Sequence, residues 1–374
     1  MTADTIHGFT DPRFAAVREA FASTFTEWLE LGGAVAVVLD GRPVVDLWGG
    51  TANEAGQPWA RDTVVNVWST TKAVAALALA MLADRGRLDM TRPVADYWPA
   101  FAARGKGAIT MDQALSHQAG LDGLAGPMAL AEACDPAVFA AALARMAPLW
   151  QPGSRMVYHA FTYGALAAEP LRQIDGRSIG RFIAEEIASP MNLQFYLGLP
   201  ADQDHRAAEM VEGTGASDWL EFLRNSPYPH SALYPAIPAT APNTRAWRAA
   251  EIAGAGGHSD AASLARLFGG LANGSSSLIS PSGLAAALVP RFDGLDALNQ
   301  LPVRYAAGFR LNDTAYGTRA SPDSYGHCGW GGSCAFADPA AGLGFSFVTR
   351  NMLGFADGID PRRNRLVNAV YDAL

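Results

Sequence analysis

Val65-Asn66-Val67-Trp68-Ser69-Thr70-Thr71-Lys72 runs straight into AVAALALAMLA (residues 73–83), and this stretch decides the fold. The run from Ala73 to Ala83 is eleven residues without a polar side chain. A bilayer crossing needs about 20, so the run is read as a helix buried in a protein core. A helix apolar on every side must be covered on every side, which requires layers of other elements around it. The spacing predicts a helix from about Ser69 that stops near Gly86.

Within such a helix, positions i and i+3 share a face, so the Ser69 hydroxyl and the Lys72 ammonium can meet. Lysine usage sharpens the point. Of 28 basic residues only Lys72 and Lys106 are lysines; the remaining 26 are arginine. Only Lys can lose its charge near neutral pH when desolvated. Serine becomes a nucleophile only with a base to take its proton, and a desolvated Lys can supply or support one. The helix N-terminus opposes a further positive charge and favours a developing oxyanion.

Working outward, residues 11–30 space Phe14, Val17, Phe21, Phe25 and Leu29 by threes and fours behind Asp11-Pro12, an amphipathic helix with proline at its first position. Two apolar strands then meet at Asp40-Gly41, a tight-hairpin signal, and Pro43 suggests an edge or a bulge. From about residue 88 to 250 the chain reads as helical and loopy, with periodic stretches at 135–146 and 179–190. Residues 258–272 read as a capped helix, and 274–283 as a loop. Strand signals return at 303–312, 333–339 and 343–351, and Asp360-Pro361 opens a closing helix.

These elements predict an α+β fold, of the α/β sandwich type. An antiparallel sheet is flanked by N- and C-terminal helices, and a mainly helical domain is inserted. The expected division is 1–88 with 251–374 for the sheet domain, and 89–250 for the insert. A pocket is expected at their boundary.

Composition removes other classes. The chain is 49% apolar and 17% charged, with mean hydropathy +0.06, which suits a large core and excludes general disorder. A net charge of −8 carries no basic footprint for nucleic acid or an anionic membrane. The start, MTADTIHGFTDPRF, lacks a signal peptide's basic and apolar regions. Cys134, Cys328 and Cys334 are too few and scattered for a disulfide framework or a zinc site, so the expected compartment is a reducing cytoplasm. There is no G-x-S-x-G, and His258-Ser259-Asp260 is contiguous, which suits a helix cap and not a triad.

Three segments in order now carry a resemblance. Ser69-x-x-Lys72 is followed by LSHQAGL (115–121), then by Pro152-Gly153-Ser154 leading to Tyr158-His159-Ala160. The pattern resembles the serine β-lactamase and penicillin-binding-protein superfamily, nearest to class C β-lactamases and family VIII carboxylesterases, over nearly the whole chain. The resemblance implies that Ser69 is the nucleophile and that Tyr158 is the general base, its pKa lowered by Lys72. Ala160 stands where the β-lactamases have Asn, and His159 is read as structural.

For the third motif there are two candidates, His327-Cys328-Gly329 and Trp330-Gly331-Gly332, of which the first is favoured. His327 would then face Tyr158 and Ser69 from an edge strand. The backbone N–H groups of Ser69 and Trp330 would form the oxyanion hole. A histidine holds a β-lactam carboxylate less firmly than a lysine, which favours a carboxylesterase with at most weak β-lactamase activity. Alternatives on the same scaffold are a β-lactamase, a D-aminopeptidase, an acyltransferase or a non-catalytic structural module. The expected partner is a small ester, with no metal, cofactor, nucleic acid or membrane. A wall of Trp330 and the Pro-rich segment 226–244, with Tyr228, Leu233 and Tyr234, would favour short acyl chains.

Overall fold

The computed structural model describes residues 6–124, 126, 128–218, 237–355 and 358–374. The N-terminal part supplies β1 (His7–Thr10), β2 (Gly32–Leu39) and β3 (Arg42–Gly50). Four two-residue strands follow in the middle of the chain: β4 (Val65–Asn66), β5 (Phe195–Tyr196), β6 (Val211–Glu212) and β7 (His258–Ser259). The C-terminal part supplies β8 (Phe292–Leu295), β9 (Pro302–Tyr305), β10 (Arg310–Leu311), β11 (Tyr325–Cys328), β12 (Cys334–Asp338), β13 (Leu343–Thr349) and β14 (Asn351–Met352).

Nine of these pair antiparallel in the order β1-β3-β2-β13-β12-β11-β10-β9-β8, so both chain ends build one sheet. The α+β expectation holds. Asp40 and Gly41 both take positive φ, 48° and 77°, the backbone of a two-residue hairpin turn. Pro43 lies on β3, an interior strand, opposite the register shift at Val37/Val38, so the bulge reading is the right one.

One sheet face packs against the helices Ala15–Glu27 and Pro361–Tyr371, with Phe14, Phe21, Val37, Phe345 and Leu366 buried between them. The other face packs against Ala261–Ala272, whose Gly269 lies against Val38. Beyond it stands the helix Thr71–Asp84, buried from Thr71 to Leu82. The loop expected at 274–283 ends earlier: Ser280 caps a helix, Pro281–Ala287, by accepting from the Gly283 N–H. Asp260 caps Ala261–Ala272 through the Ser263 N–H at 2.6 Å, as expected for His258-Ser259-Asp260. The strand expected over 303–312 is broken by a turn at Ala306–Phe309, where Gly308 needs φ +89° and Tyr163 Oη leaves no room for a Cβ.

Candidate active site

A short 3-10 turn, Trp68–Thr70, precedes the buried helix and places Ser69 at the mouth of a cavity. Trp68 itself sits at φ +47°, a left-handed conformation that costs a bulky residue about 1–3 kcal/mol. The surroundings impose it. The Trp68 N–H donates to Asn66 Oδ1 at 3.1 Å, and its ring packs against Trp247 and Trp330 with centroids 5.4 and 4.8 Å apart. Nothing in the sequence signals this strain.

Lys72 is fully buried. Its Nζ lies 2.9 Å from Ser69 Oγ and 2.7 Å from each of two carbonyl oxygens, those of Ala160 and Gly254. Desolvation pushes its pKa well below the lysine range. As an ammonium, Lys72 donates to all three oxygens; as a neutral amine it keeps both carbonyls and turns its lone pair to the Ser69 hydroxyl, which a carbonyl in that place would not allow.

Tyr158 lies on the loop before the helix Tyr163–Asp175, its ring 4.9 Å from Lys72 Nζ and its hydroxyl near enough to Ser69 for that side chain to act on the phenol. Its expected ionisation is corrected here. Burial pushes the phenol up, and the Ser69 hydrogen bond offsets this only in part. Arg310 also pulls the phenol down, while Cys328 and Asp296 push it further up, so the expected lowering does not occur. Tyr158 is held by its backbone N–H, which donates to the buried carboxylate of Asp296 at 3.2 Å.

The rings of His117, Tyr305 and His327 surround Tyr158 at centroid distances of 4.8, 6.4 and 6.0 Å. His159 points away into the core, where it lies between the Leu121 N–H at 3.2 Å and the Val157 carbonyl at 2.6 Å. That arrangement makes it a structural residue.

His327 is on β11, an interior strand and not the expected edge, because β8, β9 and β10 extend the sheet beyond it. Its Nδ1 lies 2.7 Å from the Cys328 carbonyl, which makes Nδ1 the N–H. Burial depresses its pKa well below the histidine range, and Nε2 has no partner among the described residues. The ring is therefore neutral, with its lone pair free beside the cavity.

After β11 the chain turns through 329–333. Ser333 Oγ donates to the Val67 carbonyl at 2.8 Å, and a Cβ on Gly329 would stand 2.4 Å from that same oxygen. Glycine at 329 is what lets this turn lie against the segment leading into Ser69. Trp330 lines the cavity and donates from Nε1 to Ala216 O at 2.9 Å. Among the described residues neither the Ser69 nor the Trp330 backbone N–H has an acceptor. Both candidates for the third motif thus lie at the cavity, His327 through its side chain and Trp330 through its ring and its N–H.

The cavity measures about 660 Å³. Trp68, Phe161, Val303 and Trp330 line part of it, and Asp122, Asp218, Asp296, Asp313, Arg310 and Arg363 bring charge to its wall. Arg310 is held by Asp313 at 2.9 and 3.0 Å. Asp296, Arg310 and Arg363 were not singled out in the sequence; each belongs to the site through tertiary placement alone. Tyr228, Leu233 and Tyr234 lie outside the described residues. No group of three or more His, Cys, Asp or Glu that could hold a metal is found among the described residues, and no described helix is long and apolar enough to cross a membrane.

The family model "Beta-lactamase" matches residues 21–369. The esterase/beta-lactamase LipL of Mycobacterium tuberculosis is 35% identical over 367 residues, covering 93% of this chain and 83% of its own length. The crystal structure of a family VIII carboxylesterase is 40% identical with a TM-score of 0.90, over 99% of this chain and 100% of that one. A penicillin-binding protein homologue from Caulobacter crescentus is 41% identical with a TM-score of 0.88, over 99% and 100%. The chain belongs to the beta-lactamase family, within the hydrolase superfamily that includes the penicillin-binding-protein homologues.

Proposed function

We propose that the chain is a serine carboxylesterase that hydrolyses small esters through an acyl-enzyme. The observation that carries this is the position of Ser69 Oγ on the wall of a cavity, 2.9 Å from a desolvated Lys72 Nζ that also lies 4.9 Å from the Tyr158 ring. Ser69 attacks the ester carbonyl while the Lys72 lone pair takes its proton. The N–H groups of Ser69 and Trp330 hold the oxyanion of the tetrahedral intermediate. Tyr158, still protonated, donates to the departing alkoxide, and the proton held by Lys72 replaces the one it gave. Water then repeats the sequence on the acyl-Ser69.

The kinship with LipL and with a family VIII carboxylesterase supports ester hydrolysis. Neutral esters fit better than β-lactams. A neutral His327 offers no charge to a substrate carboxylate, and Ala160 offers no side-chain hydrogen bond, so β-lactam opening is expected to be weak.

Short acyl chains are favoured because a long alkyl chain would have to desolvate the charged side chains on the cavity wall. Each buried methylene gains only about 0.8 kcal/mol, less than the cost of stripping water from one charged group. The test is kcat/KM for p-nitrophenyl acetate, butyrate, octanoate and palmitate, with Ser69→Ala as the control. A steep fall after butyrate and loss of all turnover in Ser69→Ala are expected. A maximum at octanoate or beyond overturns the short-acyl assignment, and substantial activity in a folded Ser69→Ala variant overturns the nucleophile.

A further inference from the structure

Cys328 and Cys334 face each other across the last rung of the β11–β12 hairpin, with their sulfurs 3.0 Å apart. Gly329 N–H donates to Ser333 O at 2.6 Å, so the next pair outward is a hydrogen-bonded one. Pairs alternate along an antiparallel ladder, which makes Cys328–Cys334 a non-hydrogen-bonded pair with Cα atoms about 4.5 Å apart. That separation lies inside the span of about 4.4–6.8 Å that a disulfide bridges without backbone rearrangement.

The two thiols differ in access. Cys328 lines the cavity, while Cys334 on β12 is fully buried on the sheet face covered by the terminal helices. Arg363, buried at the start of the closing helix, sets its charge beside both sulfurs, and Arg310 adds a second positive charge. Burial opposes a thiolate at Cys328, but the hydrogen bond with Cys334 and these arginines hold it below the usual thiol range. Cys334 is pushed up by burial and by its neighbour. Access thus makes Cys328 the sulfur that meets an oxidant and Cys334 the one that resolves it.

We propose that Cys328 and Cys334 are a redox pair, closed to a disulfide by a hydroperoxide that enters through the substrate cavity. Cys328 gives up its proton and attacks one peroxide oxygen. The O–O bond breaks at the terminal oxygen, the departing alkoxide (hydroxide, for hydrogen peroxide) takes up the proton as an alcohol or water, and Cys328 becomes a sulfenic acid. Cys334 sulfur then attacks Cys328 Sγ. The S–O bond breaks, and the hydroxyl leaves with the Cys334 proton as water.

Closure draws the sulfurs from contact to about 2.05 Å. Cys328 supplies the carbonyl that fixes the His327 ring and leads directly into Gly329 and Trp330. Oxidation therefore displaces the motif that faces Ser69, and turnover falls by about tenfold or more. This effect on rate rests on the esterase reading; the disulfide itself does not.

One tryptic peptide, residues 320–350, carries both cysteines and separates them from Cys134. The reduced full-length protein is treated with hydrogen peroxide, denatured in acid, alkylated with iodoacetamide and mapped by mass spectrometry. The expected product is that peptide with both thiols lost to an internal link, Cys134 alkylated, and full reversal by dithiothreitol. Cys334→Ser should instead leave a dimedone-reactive sulfenic acid at Cys328. Two alkylated cysteines, or a sulfinic acid at Cys328 with no link, overturn the redox pair. A complete link with unchanged kcat/KM for p-nitrophenyl acetate overturns its coupling to the site. Failure of the esterase reading is seen separately, as a reduced wild type with no turnover to lose.

Discussion

Lys72 and Lys106 are the chain's two lysines, and both are buried with Nζ among backbone carbonyls. Lys106 Nζ meets three of them: Ala103 at 2.7 Å, Ala144 at 2.9 Å and Met146. Three acceptors call for three N–H bonds, so this site is built for an ammonium. Burial and the nearby Arg104 bring Lys106 down only to about 8, and it stays charged at neutral pH. It ties the 3-10 segment Pro99–Gly105 to the end of the helix Pro136–Arg145.

Lys72 has two carbonyls and a hydroxyl, and its desolvation drives it much further down. Replacing one carbonyl by a serine hydroxyl turns a structural cation into a candidate base. Burial alone does not mark a catalytic lysine; what its third hydrogen-bonding direction meets does.

The largest effect expected from this comparison is at Lys72. Lys72→Arg and Lys72→Ala should both lower kcat/KM for p-nitrophenyl acetate by about 10²–10⁴-fold, the usual worth of a positioned base. Arginine keeps the charge but cannot become neutral. If Lys72→Arg retained the wild-type rate, Lys72 would be a fixed charge, and the contrast with Lys106 would collapse.

The pH profile comes next. The reactive form of Lys72 is the neutral amine, so activity is lost as acid protonates it, about tenfold per pH unit below its midpoint. Because burial depresses this pKa, the limb should lie well below the ordinary lysine range. The Tyr158 phenol is pushed up, so it should add no inflection on the acid side. A rate that rises only through the alkaline range of a free phenol or lysine would restore Tyr158 as the base.

The smallest effect on turnover, and a clear one on stability, is expected at Lys106. Lys106→Met leaves three carbonyls without their donor, at a cost of about 1–3 kcal/mol for an unsatisfied buried group. Chemical denaturation should show that loss while kcat per folded molecule stays at wild type. A large fall in kcat with unchanged stability would reverse the two roles.

Which parts of this were legible from sequence follows from how local each signal is. The Asp40-Gly41 hairpin, the buried run after Lys72 and the Asp260 cap are written in neighbouring residues, and the folded chain has all three. β11 carries no strand signal of its own, because Tyr-Gly-His-Cys lacks an alternating apolar pattern and opens onto glycines; only the resemblance places His327 on a strand. The cap at Ser280 had a local signal, Ser before Pro, inside a segment read as loop.

At the site, Ser69 and Lys72 share a turn, so their meeting could be anticipated. The two carbonyls on Lys72 come from residues 88 and 182 positions away, and these decide its charge. The upward shift of Tyr158 and the contacts that hold Trp68 at positive φ are likewise products of packing, which no local pattern encodes.

The most direct test of the account is the rate at which a fluorophosphonate labels Ser69 in three proteins: wild type, Lys72→Arg and Lys106→Met. Tryptic mapping reads the adduct in the peptide of residues 62–72. One adduct on Ser69 is expected, formed at equal rates in wild type and Lys106→Met and about 10²-fold or more slower in Lys72→Arg. An adduct on another residue, or equal labelling of Ser69 in all three proteins, would contradict it.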